Sequence, residues 1–255
     1  MNSPMQNLLP PSKALLLLEG GRALFEFGLL GPSLPLLRAA PRGDRHPVMV
    51  LPGMAAGDRS TFALRRFLRH KGYAVHGWGQ GRNVGSEAIF EPLMERVMAL
   101  RREHHEKVSL VGWSLGGVYA RELAKIAPRE VRCVITLGSP FRGPHKASNV
   151  WRFYEFLSGS RIDEGASERF AQTPSVPTTA IYTRTDGIVA WQRCIEDSAA
   201  HTENIEVIGS HSGLGHNALA MYAVADRLAQ PKDNWRAFQP PRALRRLYGN
   251  VKSSQ

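Results

Sequence analysis

A serine between glycines, an aspartate in a turn and a histidine in a glycine-rich loop follow one another along this chain. Together these types could carry nucleophilic acyl chemistry. Ser114 sits in V-S-L-V-G-W-S-L-G-G (108–117), which reads as a buried strand turning sharply into a helix. Gly112 and Gly116 lie two residues either side of it, where bulkier side chains would strike the adjoining strand or helix. A serine hydroxyl is a poor nucleophile until a base takes its proton, and that base needs an acid to hold its tautomer. The acid should leave the carboxyl end of a later strand. Asp186 does so in T-D-G-I-V (185–189), after the β-rich run Pro177–Thr185. Asp163, Asp197 and Glu206 are poorer placed, in a long insertion, on an expected helix and within an expected strand.

The base should follow the last strand. I-E-V-I-G-S-H-S-G-L-G-H-N (205–217) offers His211 and His216. His211 is favoured, because it stands in the glycine-rich loop, free to lean toward Ser114. His216 adjoins the next helix, and assistance or replacement of His211 by it stays open. An oxyanion hole needs two backbone N–H groups aimed at the developing charge. Leu115, directly after the nucleophile, supplies one. Met54, in the loop V-M-V-L-P-G-M-A-A-G (48–57), supplies the other. G-W-G-Q-G-R-N (77–83) lacks dinucleotide-loop spacing and reads instead as a rim of the substrate cleft, with Arg82 or Asn83 reaching in. No metal spacing and no cofactor motif is found, so neither a metal nor an organic cofactor is expected.

These residues require a frame. From Pro47 onward strand and helix patterns alternate, which predicts an α/β fold with a mostly parallel sheet of about six strands, helices on both faces. Strands are expected at Val48–Leu51, Tyr73–Trp78, Val108–Val111, Val131–Leu137, Thr178–Thr183 and Ile205–Ile208. Helices are expected at Ser60–His70, Glu91–Glu106, Leu115–Ile126 and Asn217–Leu228. Residues 46–230 form the main domain, interrupted by a long insertion at about 140–176. Trp151, Phe153, Tyr154, Phe156 and Leu157 make that insertion a helical cap, either glued to the body by its aromatics or lining an acyl pocket. Residues 231–255 are a basic C-terminal tail.

Residues 1–45 are an N-terminal helical segment with an apolar theme, Ala14–Leu18, Leu24–Leu30 and Leu34–Leu37. It is too short for a spanning helix and lacks the marks of a signal peptide. A pair of short helices packed on the body is expected, with an interfacial anchor or a wall for a greasy substrate as the alternative. The chain's 255 residues carry a net charge of +11, but the basic residues are dispersed and no nucleic-acid motif accompanies them, so no nucleic-acid partner is expected. The surplus charge does allow weak peripheral association with anionic membrane lipid. Two cysteines, Cys133 and Cys194, make no disulfide framework and suit a reducing, cytoplasmic setting.

The segment G-W-S-L-G-G-V-Y-A-R-E-L-A (112–124), with L-G-S-P-F-R-G (137–143), resembles the bacterial lipase- and esterase-like branch of the α/β-hydrolases. That branch often has histidine where Phe141 stands here. The resemblance spans roughly Pro47–Leu228 and implies Ser114, Asp186 and His211 as a triad hydrolysing a carboxylic ester or lipid-like substrate through an acyl-enzyme. The same triad also serves acyl transfer and thioester hydrolysis, and the fold also occurs in non-catalytic, membrane-associated binding proteins.

Overall fold

Alternate residues along each central strand are apolar to both sides, which suits strands buried on both faces. In the computed structural model, which describes residues 8–158, 164–232 and 234–249, six parallel strands run in the order β2-β1-β3-β4-β5-β6. They are β1 (Pro47–Leu51), β2 (Ala74–Gly77), β3 (Val108–Trp113), β4 (Val131–Leu137), β5 (Thr178–Tyr182) and β6 (Thr202–Glu206). Val48, Val50, Val111 and Ile135 face one layer, with α2 (Leu34–Ala39), α3 (Phe62–His70) and α8 (Ala218–Leu228). Met49, Leu51, Leu110 and Val134 face the other, with α4 (Phe90–His104) and α5 (Leu115–Ile126). On α4 the buried positions Leu93, Val97 and Leu100 recur at helical spacing.

The strand order matters for the site. The chain steps from β1 outward to β2, then returns past β1 to β3 and continues the other way. Loops after β1 and β3 therefore diverge to opposite faces and leave a crevice at the carboxyl ends of those strands, where open α/β sheets bind ligands.

Several elements differ from expectation. β6 begins at Thr202 and ends at Glu206, three residues before the expected apolar run. Its polar residues tolerate burial because they are paired: Glu203 accepts from Thr179 Oγ1 at 2.9 Å, Arg227 Nη1 at 2.7 Å and the Phe238 amide at 2.7 Å. Asp197 lies in an irregular stretch rather than on a helix. From the stretch expected to be a tail, Phe238 and Tyr248 enter the core layer beside α8. Residue 233 and residues 250–255 of that stretch, like residues 1–7 of the N-terminal segment and Asp163 of the insertion, lie outside the described residues. The connection from β4 to β5 contains α6 (Trp151–Ser158) and α7 (Glu164–Ala171); the side chains of Phe156 and Leu157 are among those not described.

The N-terminal segment forms one long helix, α1 (Lys13–Gly28), with α2 after it. Ser12 caps α1 by accepting from the Leu15 amide at 3.3 Å. The only buried residues of this leucine-rich helix are Glu19 and Glu26. Its acidic face, not its greasy one, rests on the body.

Candidate active site

Ser114 stands between β3 and α5 with φ 52° and ψ −122°. An L-residue held there costs about 1–3 kcal/mol and persists only when its surroundings enforce it. Here they do: the Ser114 amide donates to Leu137 O at 2.8 Å, and its carbonyl accepts from Gly117 at 3.0 Å. A Cβ on Gly112 would overlap the backbone of Gly117, and one on Gly116 would overlap the Leu51 and Pro52 carbonyls. The turn can be this tight only with glycine at both places. It presents the serine at the crevice beside β1, with the amino end of α5 behind it.

The other two candidates arrive from separate loops. Asp186 follows β5 and is buried. Its Oδ1 accepts from the Ile188 and Val189 amides, both at 2.8 Å, which aims Oδ2 at His211 Nδ1, 2.6 Å away. Across the ring, His211 Nε2 lies 3.0 Å from Ser114 Oγ. With Nδ1 donating to the carboxylate, Nε2 faces the hydroxyl as an acceptor. Trp113 Nε1 donates to His211 O at 3.0 Å and steadies the loop. His216 points elsewhere: its Nε2 donates to Ala23 O at 2.9 Å, and its ring meets Phe27 edge-on. Asp197 pairs with Arg142, and Glu206 with Arg184.

Burial of the His211 ring opposes its charged form, but the charge and hydrogen bond of Asp186, helped by Glu19, outweigh it and raise the pKa above the ordinary 6.5. A base must be neutral to accept a proton, so activity that depends on His211 falls as pH drops through this raised value. The expected acid limb of kcat/KM therefore lies above pH 6.5. A pH–rate profile whose limb falls below that point contradicts the assignment.

The loop after β1 passes directly beside the serine, since a Cβ on Gly53 would lie 3.3 Å from Ser114 Cβ. Met54 and Leu115 both line the cavity above Ser114. Arg82 and Asn83 do not form a cleft rim as expected. Asn83 is buried, donates from Nδ2 to Pro52 O at 3.0 Å, and exchanges backbone bonds with Ala55 and Ala56 at 2.7 and 2.8 Å. Arg82 Nε donates to Ala55 O at 2.9 Å. Both brace the loop that holds Met54, because a loop with Ala55 at φ 60° needs its polar groups tied down.

The cavity is about 120 Å³ and predominantly apolar, with Val118, Phe141, Trp151, Tyr154 and Phe170 in its walls. Phe141, at the place where the resembling branch often has histidine, is capped by the Arg121 guanidinium 3.7 Å from its ring centre. Arg121 also donates to Gln172 O at 3.0 Å, which ties α5 to the end of the insertion.

Three residues of α1 escaped the sequence reading. Glu19 Oε1 accepts from the Gly187 amide at 2.8 Å and the His211 amide at 3.2 Å, while Oε2 accepts from Ser212 at 2.9 Å. Arg22 donates from Nη1 to Thr185 O at 2.8 Å and from Nη2 to Thr185 Oγ1 at 2.9 Å. Glu26 accepts from the Ser210 amide at 2.7 Å and Asn217 Nδ2 at 2.8 Å. One helix face thus clasps both the Asp186 loop and the His211 loop. Their spacing, three and then four residues, was the available signal: lone charges on one face of a greasy helix.

Comparisons with known proteins give partial matches in sequence and a wider match in fold. A stretch of 106 residues is 34% identical to a pimeloyl-[acyl-carrier protein] methyl ester esterase of Aliivibrio salmonicida, covering 40% of this chain and 38% of that protein. Another of 116 residues is 30% identical to a triacylglycerol lipase of Pseudarthrobacter phenanthrenivorans, covering 42% and 36%. The chain spans well under half the length of these curated relatives. In three dimensions it is similar to Aspergillus fumigatus lipase B, with a TM-score of 0.58 at 20% identity over 75% of this chain and 55% of that one. No protein-family model matches. The chain has the α/β-hydrolase fold, and part of it is similar in sequence to an esterase and a lipase.

Proposed function

We propose that this protein hydrolyses carboxylic esters through an acyl-enzyme on Ser114. The observation that carries the reading is the unbroken chain Asp186–His211–Ser114, with contacts of 2.6 and 3.0 Å, at the sheet's crevice. In the first step His211 Nε2 takes the Ser114 proton as Oγ attacks the acyl carbonyl. Asp186 stays ionised and stabilises the imidazolium. The Leu115 and Met54 amides receive the oxyanion. The tetrahedral intermediate collapses, His211 returns the proton to the departing alkoxide, and the alcohol leaves. Water, deprotonated by the same ring, then frees the acid and restores the serine.

The small apolar cavity suits an acyl chain of modest length. A fluorophosphonate probe should label the wild-type protein and fail to label Ser114→Ala. Turnover across p-nitrophenyl esters of increasing acyl length should peak among the shorter ones. Absence of labelling overturns the hydrolase reading. Formation of a new ester when ethanol is added, at the expense of free acid, assigns the same triad to acyl transfer instead.

A further inference from the structure

We propose that the outward face of α1, together with the groove beside it, docks this protein on an anionic phospholipid membrane. Ordinary surface helices bury their apolar stripe and expose their charges. On α1 this is inverted. Glu19, Arg22 and Glu26 bind the body, whereas Leu17 is 83% exposed, Leu24 71% and Phe25 67%. Leu17 and Leu24 stand seven residues apart, as do Leu18 and Phe25, so they form one continuous stripe. The stripe cannot simply roll inward, because turning it would pull three charged side chains from the amides and carbonyls they hold. A contiguous apolar stripe held outward in this way fits an apolar surface outside the protein.

The charge beside the stripe says which. Residues 1–75 contain ten lysines and arginines but only four carboxylates. All four are engaged within the protein: Glu19 and Glu26 beneath α1, Asp44 with Arg132, and Asp58 with the Trp78 and Gly79 amides. Where α1 ends, a groove of about 730 Å³ opens between α2 and α3. Phe27, Leu34 and Phe62 are among its apolar walls, Arg38, Arg42 and Arg66 stand exposed along it, and no carboxylate lines it. An apolar stripe next to unopposed cations complements acyl chains under anionic headgroups. It does not suit a second copy of this chain, which would set two basic surfaces face to face. Among the described residues no helix is long and apolar enough to cross a membrane, so attachment of this kind lies along the surface. The docking does not rest on the hydrolase reading.

The test is sedimentation of the full chain with vesicles. The wild-type protein should pellet with phosphatidylcholine vesicles containing phosphatidylglycerol, be released by salt, and stay in solution with phosphatidylcholine alone. The combined variant Leu17→Ser, Leu24→Ser, Phe25→Ser should lower the partition coefficient at least about tenfold. Arg38→Glu with Arg66→Glu should remove the dependence on phosphatidylglycerol; this second variant decides the matter if the first fails to show a native circular-dichroism spectrum. Ser114→Ala should pellet like wild type, so loss of the catalytic reading leaves this result intact. Equal pelleting of wild type and both variants overturns the proposal. So does absence of vesicle binding, and so does light scattering that shows a dimer which the serine variant splits.

Discussion

Ser114→Ala is expected to lower kcat for an acyl ester by about 10⁵- to 10⁶-fold, the scale on which loss of a nucleophile removes the action of the whole group. KM should change little, because the apolar cavity that would hold the acyl chain remains. Stability should also change little, since alanine at φ 52° inherits the backbone strain. Ser114→Gly separates the two effects. It should be as inactive as the alanine variant yet more stable by about 1 kcal/mol, because glycine occupies positive φ without penalty. Calorimetric melting and ester kinetics on the two variants check this together. Near-normal turnover in Ser114→Ala excludes the nucleophile, and equal melting of both variants excludes the strain.

Glu19→Ala carries the second large effect. Its carboxylate serves the amides of Gly187, His211 and Ser212, and a buried amide left without a partner costs about 1–3 kcal/mol. A stability loss of about 3 kcal/mol or more is therefore expected in denaturant melts. With the two loops freed, the Asp186–His211 geometry loosens, and kcat should fall about 100-fold, as it does when catalytic groups are displaced by around an ångström. Glu19→Gln distinguishes positioning from mere folding. It keeps one acceptor and much of the stability but removes a negative charge that helps raise the His211 pKa. Its acid limb should move to lower pH. A stable Glu19→Gln protein with an unmoved limb and normal kcat removes Glu19 from any role at the site.

How much was legible beforehand follows from how local each signal is. β1, β3 and β4 were visible because parallel strands covered on both faces are largely apolar. The turn at Ser114 was visible because its steric demands fall on residues two and three positions away. β6 was displaced in the reading because Thr202, Glu203 and Asn204 look like solvent-facing residues; their partners, Arg227 and the Phe238 amide, are far along the chain. Asn83 was misplaced for a similar reason. Its buried bond to Pro52 O depends on β1 and β2 being neighbours. The N-terminal leucines showed that a helix forms, and nothing local says which side of a helix meets the body.

Sequence alone thus determined the wound sheet and the tight turn at Ser114, because covalent neighbours and residue periodicity impose them. Only tertiary structure decided that His211 rather than His216 faces Ser114, that α1 lies on its acidic side, and that Glu19 joins two loops more than 160 positions away. Those outcomes turn on which distant amides need a carboxylate, and that demand exists only once the sheet has brought the loops together.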